Sequence, residues 1–121
     1  MKEPNINEQE IREFYFNLDK SLFNEKQLSQ IEIGAKRNLN ISLYANPIYS
    51  HSQMFEIRIA LQNNLSEEQL KFLCQEKWDN EQMREIRLAM VHGIDFKIFA
   101  LEELTGPQMR EIRIDIEDSQ E

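Results

Sequence analysis

Few side chains of this sequence have the type and spacing for chemistry. Cys74 is the single cysteine, so no intramolecular disulfide framework exists, and a lone thiol fits a reducing compartment. It stands five residues before a helix-start signal, as Ala45 and Ala100 do, and a cysteine at a small inward position acts as filler. His51 and His92 have no Cys, His or carboxylate four residues away, the spacing of a helical metal pair. Placed near a helix C-terminus, a charged His92 is favoured by the helix dipole alone. Gly34, Gly93 and Gly106 are too scattered for a phosphate-binding loop. No Ser/His/Asp or Cys/His arrangement stands out. The reading is a protein with no catalytic residue, no metal and no cofactor.

What remains is charge. The 121 residues carry 14 Lys and Arg against 22 Asp and Glu, for a net charge of −8. Such a balance argues against direct binding of nucleic acid or an anionic membrane, which needs clustered basic groups. Residues 1–65 have 7 basic and 8 acidic groups, whereas residues 66–121 have 7 basic and 14 acidic. A lopsided acidic face can steer toward a basic protein surface that otherwise holds nucleic acid. The candidate partner-binding residues are Glu67, Glu68, Glu76, Glu81, Glu102 and Glu103, with Trp78 as an aromatic anchor. An acid-rich, Mg²⁺-dependent nuclease is a rival reading. The carboxylates are spread around helix starts, however, and form no compact motif.

The elements that position these residues are repeats. Gln53-Met54-Phe55-Glu56-Ile57-Arg58 returns as Gln82-Met83-Arg84-Glu85-Ile86-Arg87 and as Gln108-Met109-Arg110-Glu111-Ile112-Arg113. A looser copy begins at Gln27, so the steps are 26, 29 and 26 residues. A shortened copy begins at Glu10, 17 residues before Gln27. Asn7, Asn24, Ser50, Asp79 and Thr105 each stand three residues before the Glu or Gln that opens a copy, which is capping-box spacing. Ile6, Phe23, Tyr49, Trp78 and Leu104 precede these caps, and Ile11, Leu28, Met54, Met83 and Met109 follow four residues after them. Those pairs fit the hydrophobic staple.

The far ends are marked too. Asn38, Asn64 and Gly93 are types that tolerate the left-handed conformation after a helix. Short apolar-rich segments follow at 41–45, 67–74 and 96–100, the middle one longest because Ser66-Glu67-Glu68-Gln69 is another capping box. Pro47 and Pro107 fall where a helix has ended or is starting. Within each longer helix, apolar residues such as Met54, Ile57, Leu61 and Met83, Ile86, Met90 form one inward stripe. Gly34, Ala60 and Ala89 share a repeat position where a small residue allows close approach. Arg58, Arg87 and Arg113, with Glu56, Glu85 and Glu111, recur in register; weak, exposed ion pairs between stacked units account for them.

The expected fold is all-α: a short helical repeat, solenoid-like or a compact bundle, of helix-turn-helix units of about 26 residues. One domain spans 1–121, with units at 6–23, 24–49, 50–78, 79–104 and 105–118 and a tail at 119–121. No apolar run approaches the roughly 20 residues that cross a bilayer, and Met1-Lys2-Glu3-Pro4-Asn5 does not open a signal peptide. A cytoplasmic location is expected.

The motifs Tyr44-Ala45-Asn46-Pro47 before Gln53-Met54-Phe55-Glu56-Ile57-Arg58, and Gln82-Met83-Arg84-Glu85-Ile86-Arg87-Leu88-Ala89 before Gly93-Ile94-Asp95, resemble a short helical repeat of proteins from phages and conjugative elements of Firmicutes. That pattern reads roughly YADP…QMREIRLGLEAGLDVS. The resemblance covers about residues 24–116, departing where Ala replaces the favoured Gly and where the middle unit has three extra residues. It implies a genomic context and no catalytic residues. Small acidic proteins of such elements are often inhibitors of host defence, including anti-CRISPR and antirestriction proteins. Context and charge together give the functional expectation: a non-enzymatic module that binds a basic host nuclease in the host cytoplasm. The alternative is an accessory or assembly factor of a conjugation or plasmid-maintenance machine, acting as a homo-oligomer through its repeat surfaces.

Overall fold

Among the described residues, each α-helix starts with a closed capping box. The computed structural model describes residues 7–120. Among them are six α-helices and no strand: α1 (Glu8–Asn17), α2 (Glu25–Lys36), α3 (His51–Leu61), α4 (Glu67–Leu73), α5 (Asn80–Val91) and α6 (Gly106–Ser119). The caps are Asn7, Asn24, Ser50, Ser66, Asp79 and Thr105. Each accepts from the amide of the Glu or Gln three residues on, whose side chain takes the cap's own N–H. A cap contributes about 1 kcal/mol, so six of them specify helix starts strongly even in a short chain. Ile6, expected to staple α1, lies outside the described residues.

The ends follow the same economy. Asn38 and Asn64 adopt φ of 58° and 59°, and Gly93 adopts 73°. Beyond two of these turns the chain folds back onto its helix: the Leu39 amide donates to the Gly34 carbonyl at 2.9 Å, and Ile94 to Ala89 at 2.8 Å. The three connecting segments are a 3-10 turn at Ile41–Leu43, the longer α4, and a 3-10 turn at Phe96–Ile98. A further 3-10 turn, Lys20–Leu22, links α1 to α2. At the other extreme, α6 continues to Ser119 and is capped by Gln120, so the expected tail at 119–121 is helical at its start.

Packing runs in chain order along the longer helices. α2 lies on α3, α3 on α5 and α5 on α6, while α1 closes the first unit against α2 and the turn after it. The apolar stripe faces inward: Ile31, Ile57 and Ile86 share one repeat position, Met54, Met83 and Met109 another, and all six are fully buried. The connecting segments cover this core with Tyr44, Leu73 and Phe99, again at one position and again fully buried.

Trp78 departs from expectation. It is 1% exposed, and its indole N–H donates to the Phe72 carbonyl at 3.2 Å. Its ring packs against Phe72 of α4, centroid to centroid at 5.7 Å, within the buried core. It is a core residue and no surface anchor.

The small-residue position explains itself through the connecting segment. A Cβ on Gly34 would collide with the Tyr44 hydroxyl and lie 2.9 Å from Ile41 Cγ2. That hydroxyl is held by donating to the Gln30 carbonyl at 2.6 Å. Where the covering residue is Phe99 or Leu73, with no hydroxyl, the small residue is Ala89 or Ala60. Gly34→Ala is therefore expected to destabilise by about 1–3 kcal/mol through overpacking, although alanine is intrinsically the better helix former by about 1 kcal/mol. Adding Tyr44→Phe should restore part of that loss, giving a coupling above about 0.5 kcal/mol in a urea-unfolding double-mutant cycle. Strictly additive costs would show that the hydroxyl is not what selects glycine.

Candidate partner-binding surface

Between units the polar groups are arranged in two repeating seams. In the first, the capping glutamine uses its amide nitrogen to hold the next unit. Gln27 Nε2 donates to the Tyr49 carbonyl, Gln53 Nε2 to that of Trp78, and Gln82 Nε2 to that of Leu104, each at 2.7 Å. In every case the acceptor belongs to the residue just before the next helix cap. One glutamine thus closes its own helix start and orients the start of the following one.

In the second seam, an arginine reaches back one unit to the residue three positions after the clamp glutamine. Arg58 Nε donates to Gln30 Oε1 at 2.9 Å. Arg87 directs Nε and Nη2 onto Glu56 Oε1 at 3.1 and 3.0 Å, and Arg113 Nε meets Glu85 Oε1 at 2.8 Å. These are not the exposed pairs expected from the sequence. Glu56, Glu85, Arg58 and Arg113 are all buried. Burial makes such pairs costly to break, since a lone buried charge remains. Burial pushes the Glu56 carboxyl above its ordinary value despite the Arg87 charge beside it. Burial also works against the charge of Arg113, but hydrogen bonds to Glu85 and Glu117 outweigh it and hold its pKa above the usual one.

The seam ends in a small network on α6. Glu117 Oε2 accepts from Arg113 Nη1 at 2.8 Å and lies 2.6 Å from His92 Nδ1. The His92 hydrogen bond, with Arg113 after it, holds the Glu117 carboxyl below its ordinary value. At the equivalent place between α2 and α3, Arg37 Nη1 donates to Gln62 Oε1 at 3.0 Å. The two histidines therefore differ: His92 bridges two helices, and His51 sits in the first turn of α3, half-buried.

The groups that could do covalent chemistry are placed as follows. The Cys74 thiol is half-buried, and burial pushes it up to about 11, so it is protonated at neutral pH and a poor nucleophile. Among the described residues no group of three or more His, Cys, Asp and Glu could hold a metal ion, and no helix is long and apolar enough to cross a membrane.

The proposed acidic residues fall on three separate connections. Glu67 and Glu68 occupy the first turn of α4, exposed. Glu76 is exposed in the turn before α5, and Glu81 is exposed in the first turn of α5. Glu102 is paired with Lys77 at 3.0 Å, while Glu103 is exposed in the same connection. Lys77 also lies 4.8 Å from the Trp78 ring centre, and Lys71 and Lys97 border a cleft with Glu68 and Asp95. The surface is thus acidic but interrupted by lysines, rather than one continuous patch.

Sequence reasoning missed the glutamine clamp, and it expected the arginine pairs between units as exposed rather than buried. The signal was present in the constant distance from each helix cap: Gln30, Glu56 and Glu85 stand six residues after one cap, and Arg58, Arg87 and Arg113 eight residues after the next. Comparison of the chain with protein-family models, with curated proteins and with solved structures finds no match in any of the three. The protein is thus defined by its own architecture, an all-α array of stacked helical units with a buried polar ladder.

Arg113→Ala or Glu85→Ala should cost about 1–3 kcal/mol in equilibrium unfolding, because each leaves a buried charged group without its main partner, Glu85 keeping only Arg84 at 3.6 Å and Arg113 only Glu117 at 2.8 Å. Glu56→Gln should cost less than about 1 kcal/mol, since Gln30 serves Arg58 at the same repeat position. The pH dependence has a definite sign. A carboxyl whose folded pKa is raised binds its proton more tightly when folded, so its contribution falls as pH rises from the unfolded value of about 4.5 through the folded one. The Glu56→Gln protein should lack that component of the wild-type profile, and an unchanged pH slope would remove Glu56 as its source.

Proposed function

We propose that this protein is a non-catalytic binding module that engages a basic, nucleic-acid-handling protein. The more specific reading is an inhibitor, encoded by a mobile genetic element, of a host defence nuclease of the CRISPR or restriction type. The observation that carries the binding reading is the set of exposed carboxylates on residues 66–121: Glu67, Glu68 and Glu81 on the helix starts of α4 and α5, which capping boxes hold rigid, and Glu76 and Glu103 in the turns beside them. Rigid display lowers the entropy lost on association, and the acidic field accelerates encounter with a basic surface. The genomic context comes from the resemblance of the Gln-Met-x-Glu-Ile-Arg repeat alone. Within that reading the protein acts in the host cytoplasm.

A structural role is the second reading, favoured by apolar side chains left outside the core. Leu22, Ile48, Ile98 and Leu101 are exposed, and Leu22 and Ile48 stand at the same place, two residues before a helix cap. Self-association through such positions is the signature of an assembly factor.

The test is capture with the tagged protein from a Firmicute lysate, with and without nuclease treatment, followed by kinetics with the purified captured protein. A basic nuclease that survives the treatment, and whose activity the protein inhibits, supports the reading. Converting Glu67, Glu68, Glu76 and Glu81 to Lys should then slow association by about tenfold or more at low salt, with a smaller change in dissociation. Recovery of conjugation or replication proteins, or of the protein itself only, would overturn the inhibitor reading in favour of assembly.

A further inference from the structure

The two seams stop at α6 with half an interface left over. Gln27, Gln53 and Gln82 each clamp a carbonyl of the next unit, and Gln30, Glu56 and Glu85 each hold an arginine of the next unit. The matching residues of α6 are Gln108 and Glu111, both exposed. Gln108 Oε1 takes the Thr105 amide at 2.9 Å as its forerunners take theirs. Its amide nitrogen, and the whole Glu111 carboxylate, meet no side chain or carbonyl partner among the described residues. The helix that displays them is fixed from behind, because Met109 and Arg113 are buried against α5.

We propose that this outer edge of α6 docks an arginine-bearing amphipathic helix of a protein partner, with Glu111 receiving the guanidinium as Glu85 receives Arg113. The proposal rests on the binding reading above and assigns it a place. Continuity with an interface made three times in the same chain argues for it, and so does charge. Glu111, Asp115 and Asp118 are exposed on α6 against a single exposed cation, Arg110. Ile112 and Ile116, both half-buried, supply an apolar floor beside them. A second copy stacked head to tail is a poor occupant. Such a copy would present α1, which already packs on α2, and the position that holds arginine in α3, α5 and α6 is Tyr15 in α1, with no guanidinium for Glu111.

The probe is a fluorescent peptide with the sequence of residues 105–119 carrying Asp115→Lys and Asp118→Lys, so that it keeps Arg113 and loses its repulsion. Binding to the full chain is read by anisotropy and by amide shifts in NMR. The expected result is shifts confined to α6, and affinity lowered at least about tenfold by Glu111→Lys in the protein or Arg113→Gln in the peptide. Glu111→Gln should cost less than about threefold, by the precedent of Gln30, and this exposed substitution also guards against a folding artefact. Absence of binding, shifts on the α4–α5 carboxylates instead, or indifference to Glu111→Lys would each overturn the assignment. Capture of a basic protein together with a silent peptide would sink the α6 edge and leave the binding reading intact. A responsive peptide with no captured protein would do the reverse.

Discussion

The array depends on a single side chain used twice. A glutamine in the first turn of α2, α3 and α5 accepts the N–H of its own cap and donates to the carbonyl just before the next cap. The first bond decides where a helix begins, and the second decides where the following helix begins relative to it. Local structure and tertiary register are thereby set by one amide group. Glutamine is suited to this because its side chain carries both an acceptor and a pair of donors. At the opening of α1 the residue is Glu10, which closes the box equally well but has no proton to donate onward. That first unit is also the one with the shortened step to the next, 17 residues.

The buried arginines follow from the same register. Once the glutamine clamp has placed a helix, the residue eight positions after the cap faces the one six positions after the previous cap. The three pairs solve the resulting desolvation differently. Arg58 meets a neutral Gln30 and adds Gln62. Arg87 forks onto Glu56 and reaches Asn63. Arg113 bridges Glu85 and Glu117. That a glutamine serves in one pair and glutamates in two means net charge neutralisation is not the common requirement. The shared feature is an oxygen aimed at the guanidinium, as expected where leaving a buried donor unpaired costs more than the pair itself contributes.

Much of this was legible from residue order, and the reason is that capping is local. Cap, box and C-terminal turn lie within a few residues of one another, so Asn24 with Gln27, Asp79 with Gln82, and Asn38 or Gly93 could be read directly. The three connecting segments and the greater length of α4 follow from the same kind of signal. The arginine pairs between units were legible as pairs, but the glutamine clamp and the burial of the arginine seam were not, because those partners lie 22 to 31 residues apart and a sequence does not state how closely the units approach. Residues of one copy, Glu85 and Arg87 for example, look like a pair in one dimension; in three they serve opposite neighbours. Trp78 failed for a related reason. Its staple position is visible in sequence, but how deeply a staple sinks depends on the unit that lies over it.

The acidic surface has to be judged against what the fold already explains. Glu67, Glu68 and Glu81 stand in first turns, where a carboxylate is favoured by the helix dipole irrespective of any partner. Glu102 is matched by Lys77. Those residues have internal reasons to be acidic, and Glu111, Asp115 and Asp118 have none of that kind. All three lie beyond the first turn of α6, where the dipole gives a carboxylate no support, and Asp118 stands in the last turn, where a negative charge is disfavoured. Glu117, on the same stretch, is compensated by His92 and Arg113, whereas Asp118 and Asp115 carry no ion pair among the described residues. Charge without a local cause, at repeat positions whose counterparts hold arginine or pack beneath a connecting segment, is a more specific signal for the proposed partner than charge placed where any helix would favour it. By that criterion the outer edge of α6 ranks above the helix starts of α4 and α5 as the site for the proposed partner.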